Sequence, residues 1–301
     1  MIQGDLKNGN GTIERLGDGT HIVRAYGNPY LLDQPGVYCE NANAEETERI
    51  YAKRFVNKQI FFQSELEEAR NQLLSWNDPH AIRIGMTGYS KITSENLENW
   101  GIKRHAYERA CEDILGRSIH ALQEEYPGIK ISIPDGASNM GVDLAITNVA
   151  RFLDISHLGH SFPRFMMYVV DDNDAVIVCE SQAAYSNCFI DNLDLLISVG
   201  GRLQALTHDI DSATEKGKLI VFADLMPLLT ATRANPPTRN ATGQVQDATG
   251  AFFQSVRFFD HHGQRPNLYK STFIPWVTGI VVEEVRNLIS PEIAYGGWKQ
   301  L

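Results

Sequence analysis

The sequence predicts an α/β protein built on a parallel sheet, with helices packed on it and extensions at both ends. Two observations lead there. Short aliphatic and β-branched runs, such as Asp194-Leu-Leu-Ile-Ser-Val199 and Leu219-Ile-Val-Phe-Ala223, have the pattern of strands buried on both faces. Between these two runs the chain turns at Gly200-Gly201 and then places Leu203, Leu206, Ile210 and Ala213 at helical spacing, before Gly217 stops the helix. Strand, glycine turn, helix and strand make one β-α-β unit, whose glycine turn opens at the carboxyl edge of the sheet.

The same grammar recurs upstream. Ala81 to Met86 reads as the opening strand, followed by the turn Thr87-Gly-Tyr-Ser90, a polar insert from Lys91 to Gly101 and a helix from Lys103 to Glu125 with Ala106, Ala110, Ile114, Ile119 and Leu122 inward. Pro127-Gly128 ends that helix. Ile129 to Ile133 is the second strand, and Pro134-Asp-Gly-Ala-Ser-Asn-Met-Gly141 is a small-residue loop before a helix carrying Val142, Ala145, Ile146 and Val149 on one face. Phe165 to Val170 is expected as a third strand, Ala175 to Cys179 as a hairpin or edge extension, and Ser181 to Asn192 as a short helix.

The chain ends are read as extensions of this core. Residues 1–80 form the first, with turns at Asn8-Gly-Asn-Gly11 and Gly17-Asp-Gly19 around strand-like pieces such as His21 to Arg24, and a helical stretch from Ala44 to Leu74. Asn77-Asp-Pro79 marks its end, because the residue before proline is pushed out of helix. Residues 81–230 form the core domain. Residues 231–301 hold a linker rich in Pro, Thr, Asn and Gly up to Gly250, the aromatic pairs Phe252-Phe253 and Phe258-Phe259, and a helix from Trp276 to Ile289 with Val277, Ile280, Val281, Val285 and Leu288 inward. Those aromatics call for cover from the core or from another subunit.

Composition narrows the function. With 301 residues, 43% of them hydrophobic, the chain can bury a substantial core. A net charge of −10 and a pI near 5.4 oppose binding to a phosphate backbone, so nucleic acid is not the expected partner. No apolar run approaches the ~18 residues needed to cross a bilayer, and none near the start resembles a signal peptide. No membrane contact is expected, and the expected location is the cytoplasm. Cys39, Cys111, Cys179 and Cys188 form no CxxC pair and read as reduced thiols.

Three loops carry the functional argument: Gly85-Met-Thr-Gly-Tyr-Ser90, Asp135-Gly-Ala-Ser-Asn-Met-Gly-Val-Asp143 and Gly200-Gly-Arg202. Each follows an expected parallel strand and precedes a helix, so all three should open on the edge where open α/β sheets bind ligands. The expected ligand-binding set is Gly85, Thr87, Gly88, Tyr89, Ser90, Asp135, Gly136, Ser138, Asn139, Gly141, Asp143, Gly200, Gly201 and Arg202. Backbone N–H groups at Gly201 and Arg202, with the Arg202 guanidinium, suit a phosphate. Thr87 and Ser90 supply hydroxyl donors. Tyr89 either stacks on a base or ribose or packs on its neighbour loop. Ser138 and Asn139 either bond a ribose or cap the next helix, and Asp143 sits where a helix dipole alone favours a carboxylate.

The order Ile84-Gly-Met-Thr-Gly88, Gly136-Ala-Ser-Asn-Met-Gly-Val-Asp143, Leu196-Ile-Ser-Val-Gly-Gly201 and Lys218-Leu-Ile-Val-Phe222 resembles the SLOG superfamily. That group joins the DNA-processing protein A (Smf) domain to the lonely-guy phosphoribohydrolases. The resemblance spans Ala81 to Ala223 and implies a Rossmann-like parallel sheet with helices on both faces. It also implies a nucleotide or nucleotide-derived ligand such as a nucleoside monophosphate, ADP-ribose or NAD, and a homodimer, with a monomer wrapped by its own tail as the alternative. Lonely-guy enzymes carry Gly-Gly-x-Gly-Thr-x-x-Glu; here Leu203 and Gln204 replace Gly-Thr, and Thr207 replaces the glutamate. A nucleotide-binding module needs only the loops. An N-glycosidic hydrolase would need a relocated acid such as Asp209, Glu180 or Asp135, and an interaction scaffold would leave the loops empty.

Metal chemistry finds little support. The acidic turn Asp171-Asp-Asn-Asp174 lacks the further ligands of a calcium loop, and His157 with His160, like Asp260-His-His262, lacks a third ligand at recognisable spacing and reads as surface or loop. No metal and no certain cofactor are expected, and no nucleophile-elbow sequence is present.

Overall fold

The computed structural model describes residues 6–8, 11–27, 31, 34–45, 48–72, 78–90, 105–169, 175–200, 203–223, 225, 238–239, 244–246, 252–254 and 270–289. In chain order the N-terminal elements are β1 (Leu6–Asn8), β2 (Gly11–Arg15), β3 (His21–Tyr26), β4 (Val37–Cys39), β5 (Ile50–Phe55), β6 (Ile60–Phe62) and α1 (Leu66–Gln72). There follow β7 (Ala81–Thr87), α2 (Ala106–Glu125), β8 (Lys130–Asp135), α3 (Gly141–Leu153), β9 (His157–Ser161), β10 (Ala175–Val178), α4 (Gln182–Asp191), β11 (Leu195–Ser198), α5 (Leu203–Glu215) and β12 (Leu219–Phe222). The last are β13 (Thr238–Arg239), β14 (Gln244–Gln246), β15 (Phe252–Gln254) and α6 (Lys270–Leu288).

Contacts divide the chain into two compact units. One comprises Met1–Asn77, Pro134–Asn139 and His157–Phe189; the other comprises Asp78–Ile133, Met140–Ser156 and Ile190–Leu301. The sheet chemistry is that of a Rossmann-like α/β fold. In the second unit β12, β11, β7 and β8 pair in parallel in that order, with Ser198 opposite Thr87 and Phe222 opposite Ser198. In the first unit β9, β10 and β6 pair in parallel. β1, β2, β3, β5 and β4 form a separate antiparallel sheet there.

The second unit is organised by one apolar core. Ile84 and Met86 of β7, Ile114 and Ile119 of α2, Ile146 of α3, Ile197 of β11 and Val281 of α6 lie in a single buried cluster. Strand and helix meet there because parallel strands present apolar residues on both faces and the helices offer one apolar stripe each. A smaller core in the first unit gathers Phe61, Ala69, Leu158, Ile177, Cys179 and Cys188.

Several expected elements are corrected. Ala44 to Leu74 is not one helix: it holds β5, β6 and the short α1. Ile50, Tyr51, Phe55 and Ile60-Phe61-Phe62 are β-branched or aromatic and fit a pleated, half-buried surface, and Asn57 at φ 58° breaks the backbone between the two strands. Phe165 to Val170 is not a strand. Phe165–Tyr168 is a 3₁₀ turn, because Phe165 and Met166 N–H both donate back to the Phe162 carbonyl beside Pro163. The strand of this region is β9, a His-Leu-Gly-His-Ser run buried at all five positions, so His157 and His160 are core residues and not surface ones. Ala175 to Cys179 is neither hairpin nor edge extension, since β10 pairs in parallel on both sides. Within the expected linker Thr238–Arg239 and Gln244–Gln246 pair as antiparallel strands. Leu288, expected inward, is exposed. Phe258, Phe259, Asp171 to Asp174, Asp260 to His262 and the polar insert from Lys91 to Gly101 lie outside the described residues.

Candidate functional site

The second unit brings the ends of β7 and β11 and the start of α3 into close contact. Gly88 leaves no room for a side chain: a Cβ there would meet the Tyr107 hydroxyl, Val199 Cγ2 at 2.8 Å and the Gly200 carbonyl oxygen at 3.3 Å. Gly141 has φ +55°, and a Cβ would overlap the Tyr89 carbonyl oxygen and lie 2.9 Å from the Ser90 carbonyl carbon. Glycine at both positions is a steric requirement of this approach. Gly85, inside β7 opposite Leu196, is buried.

The polar groups at this rim are largely committed to one another. Thr87 donates its hydroxyl hydrogen to Asp209 Oδ2 of α5 at 2.6 Å, and both residues are buried. Ser198 lies opposite Thr87 on β11, and its buried hydroxyl has no hydrogen-bond partner among the described residues. A carboxylate and two hydroxyls thus gather at the carboxyl ends of two neighbouring strands, beside backbone that carries no side chains. Buried polar atoms of this kind are costly unless satisfied.

Tyr89 is buried, edge-on to Tyr107 with centroids 5.5 Å apart, and its N–H donates to the Tyr107 hydroxyl at 2.9 Å. Burial holds the Tyr107 phenol well above its ordinary pKa, so it stays neutral and able to act as this acceptor. The ring is thus a packing element of the loop. Val142 N–H, one of the first amides of α3, donates to the Tyr89 carbonyl at 2.9 Å, and Asp143 is buried in the first turn. Ser90 is half-buried. Gly201 and Arg202 lie outside the described residues.

The remaining expected residues fall in the first unit and form a distinct cluster. Asp135 Oδ1 accepts the Ala137 N–H at 2.9 Å, while Oδ2 lies 2.6 Å from His157 Nε2. His160 Nδ1 lies 3.3 Å from the Asp135 carbonyl oxygen, and its ring stands edge-on to Phe189. With the Asp135 carboxylate ionised, His157 Nε2 is the donor. Gly136 and Ser138 are buried, Ser138 bridges to Val169, and the Asn139 N–H donates to the Tyr168 carbonyl while its side-chain amide donates to Gln34. The loop is therefore fastened by the last residue of the 3₁₀ turn, Tyr168, and the one after it, Val169. Among the described residues no group of three or more His, Cys, Asp or Glu side chains is arranged to hold a metal ion.

Sequence reasoning undervalued Asp209, named only as a substitute acid, and missed the Asp135–His157 pair. Asp209 lies seven residues into α5, with no local motif to tie it to Thr87. The histidine pair had one local sign: the eight residues between the end of a helix at Leu153 and the turn at Phe162-Pro163 leave room for a strand, which is His157–Ser161.

No family model matches the sequence, and no curated protein matches it. Solved structures with a similar arrangement include the molybdenum cofactor binding protein of Rippkaea orientalis, at 19% identity and TM-score 0.32 over 46% of this chain and 73% of that one. Another is the molybdenum cofactor carrier protein of Chlamydomonas reinhardtii, at 17% identity and TM-score 0.32 over 46% and 74%. A structural-genomics target, TM1055, matches at 16% identity and TM-score 0.33 over 54% and 88%. No helix among the described residues is long and apolar enough to cross a membrane. In its parallel strands and in the glycine-bearing loops at their ends, the second unit is a Rossmann-like α/β arrangement.

Proposed function

We propose that this protein binds a phosphate-bearing, nucleotide-derived ligand at the carboxyl ends of β7 and β11. The observation that carries this reading is the polar cluster of Thr87, Ser198 and Asp209 set beside Gly88 and Gly200. The buried Ser198 hydroxyl, without a hydrogen-bond partner among the described residues, offers such a ligand a hydrogen bond. The buried Asp209 carboxylate, oriented by Thr87, suits a sugar hydroxyl or a ring N–H, both of which donate; it repels phosphate, which belongs instead at the glycine turn and at the amides of Gly201 and Arg202.

An N-glycosidic hydrolase is the second reading, and Asp209 favours it over the other acids. It is a buried carboxylate at the glycine-turn rim, whereas Glu180 is exposed and Asp135 is tied to His157 in the first unit. The test is thermal unfolding of the full chain with AMP, ADP-ribose, NAD or inorganic phosphate, and separately with the molybdenum cofactor named for two of the similar structures. A ligand at 100 times its Kd adds ~2.7 kcal/mol of stability, a midpoint shift of several degrees for a chain of this size. Shifts with the nucleotides that shrink in Asp209→Asn support the proposal. Release of free base, followed chromatographically, would establish the hydrolase, and no stabilisation by any nucleotide refutes both readings.

A further inference from the structure

Two of the four cysteines meet in the first unit. Cys179 follows the last residue of β10, and its N–H donates to the Ser161 carbonyl at 2.8 Å, which pins it beside β9. Cys188 lies on α4, the helix that follows that strand and shares its apolar core. Both are buried there with Phe61, Leu158 and Ile177, and their thiols share a hydrogen bond. Cys39, on the edge strand β4, and Cys111, beside Tyr107 in the second unit, lie elsewhere. A thiol–thiol hydrogen bond and a disulfide join the same two atoms, so the second forms when the sulfurs close up and each thiol gives up its hydrogen.

In the closed fold the pair is unreactive. The hydrogen bond with Cys188 and burial hold the Cys179 thiol far above its ordinary pKa, so it is not a thiolate at neutral pH. Reaction therefore waits on local opening, for which the chain provides a short path. Glu180, the next residue, is exposed, and so are Gln182 and Ala183 in the first turn of α4. That turn is fastened by Ser181, whose hydroxyl accepts the Ala184 N–H at 3.1 Å and whose carbonyl accepts the Tyr185 N–H at 2.8 Å. The second half of the helix is anchored by Cys188, Phe189 and Ile190, all buried. Releasing the first turn wets Cys179 while the rest of α4 stays seated.

We propose that Cys179 and Cys188 are a peroxide-oxidised pair that closes into a disulfide when the first turn of α4 opens. The wetted Cys179 thiol loses its proton, and its thiolate attacks one oxygen of hydrogen peroxide. The O–O bond breaks to give a sulfenic acid and hydroxide, which takes the released proton and becomes water. The Cys188 sulfur then attacks the sulfenic sulfur, and the hydroxyl leaves with the Cys188 proton as a second water. One peroxide is reduced, and the two thiols together lose two hydrogens and two electrons. The new bond closes the ten-residue loop from Cys179 to Cys188, which by chain entropy moves the unfolding equilibrium about 100-fold toward the folded form.

The test treats the full chain with hydrogen peroxide, blocks the remaining thiols in denaturant with N-ethylmaleimide, and cleaves after Glu180, which lies between the two cysteines. The expected result is maleimide on Cys39 and Cys111 alone, with the peptides on either side of Glu180 joined by a bond that dithiothreitol breaks. Ser181→Ala removes the cap and speeds the loss of the two thiols about 5-fold. Cys188→Ser gives no joined peptide. The oxidised chain unfolds at higher urea than the reduced one. Peroxide that leaves Cys179 and Cys188 open to maleimide, or carries them to sulfinic acid unjoined, overturns the proposal. An oxidation rate unchanged in Ser181→Ala, or an unfolding midpoint unchanged by oxidation, overturns it as well.

Discussion

Replacing Gly141 by alanine tests the tightest packing of the candidate site. The residue has φ +55°, where an L side chain costs about 1–2 kcal/mol through contact with the following carbonyl. The new Cβ would also overlap the Tyr89 carbonyl oxygen and stand 2.9 Å from Ser90 backbone atoms. Backbone cannot rotate away as a side-chain tip can, so the Tyr89–Ser90 segment has to move. That movement breaks the 2.9 Å bond from Val142 N–H to the Tyr89 carbonyl and strands a buried donor, a further ~1–3 kcal/mol. The total comes to about 2–5 kcal/mol of destabilisation. Gly279→Ala is the matched control: it lies inside α6, exposed, with nothing within 4 Å of a Cβ, and alanine there stabilises by about 0.5–1 kcal/mol. Urea unfolding of both variants, followed by circular dichroism and by tyrosine fluorescence, gives the comparison. A Gly141→Ala midpoint within about 0.5 kcal/mol of wild type would falsify the claim that the start of α3 is held against the β7 loop. The same variant is expected to lose the ligand-induced stabilisation, because the displaced segment carries Thr87 and Gly88 with it.

Other predictions follow from particular contacts. In the first unit His21 is buried, chiefly desolvated and also repelled by Arg15, which holds its pKa down at about 4 against an ordinary 6.5. The unfolded chain therefore takes up this proton first, and stability present above pH 6.5 is lost as pH falls towards 4, by up to about 3 kcal/mol. Urea unfolding at pH 7.5 and 4.5 should show a smaller loss in His21→Phe than in wild type, and an equal loss in both refutes the assignment. Thr87→Val keeps the shape and removes the donor from the 2.6 Å bond to Asp209, so the midpoint should fall by an amount equivalent to about 1–3 kcal/mol. Asp209→Asn, which retains an acceptor, should lose less, and the reverse ranking counts against the pairing. Asp154 ends α3 at φ 52°, and Asp154→Gly should gain roughly 0.5–1 kcal/mol in the same assay, with a loss arguing against left-handed backbone there.

The reach of the sequence differs between the two halves of this problem. Strands and helices from Ala81 to Phe222 were legible wherever a dense apolar run met a glycine turn and a 3.6-residue stripe, as in β7, α2, β8, α3, β11 and α5, because hydrophobic period and backbone freedom are local properties of residues. Where local signals conflicted, they failed. Ile50, Ala52 and Phe55 fit a helical stripe as well as a strand, and pairing with β3 and β4 chose the strand; His-Leu-Gly-His-Ser carries no strand signature, and burial between Asp135 and the neighbouring β10 supplies what propensity lacks.

By itself the sequence determined that glycine-ended parallel strands would make an α/β sheet and that Gly88, Gly141 and Gly200 would stand at its loops. Tertiary structure alone decided which polar groups those loops expose. Thr87 is joined to an aspartate 122 positions away, Tyr89 turns into the core against Tyr107, and Asp135 takes up with a histidine from the next strand. The physical reason is that a hydrogen bond between distant residues leaves no periodic trace in the chain: it depends on which backbone segments pack within about 3 Å of each other, and only the folded core sets that.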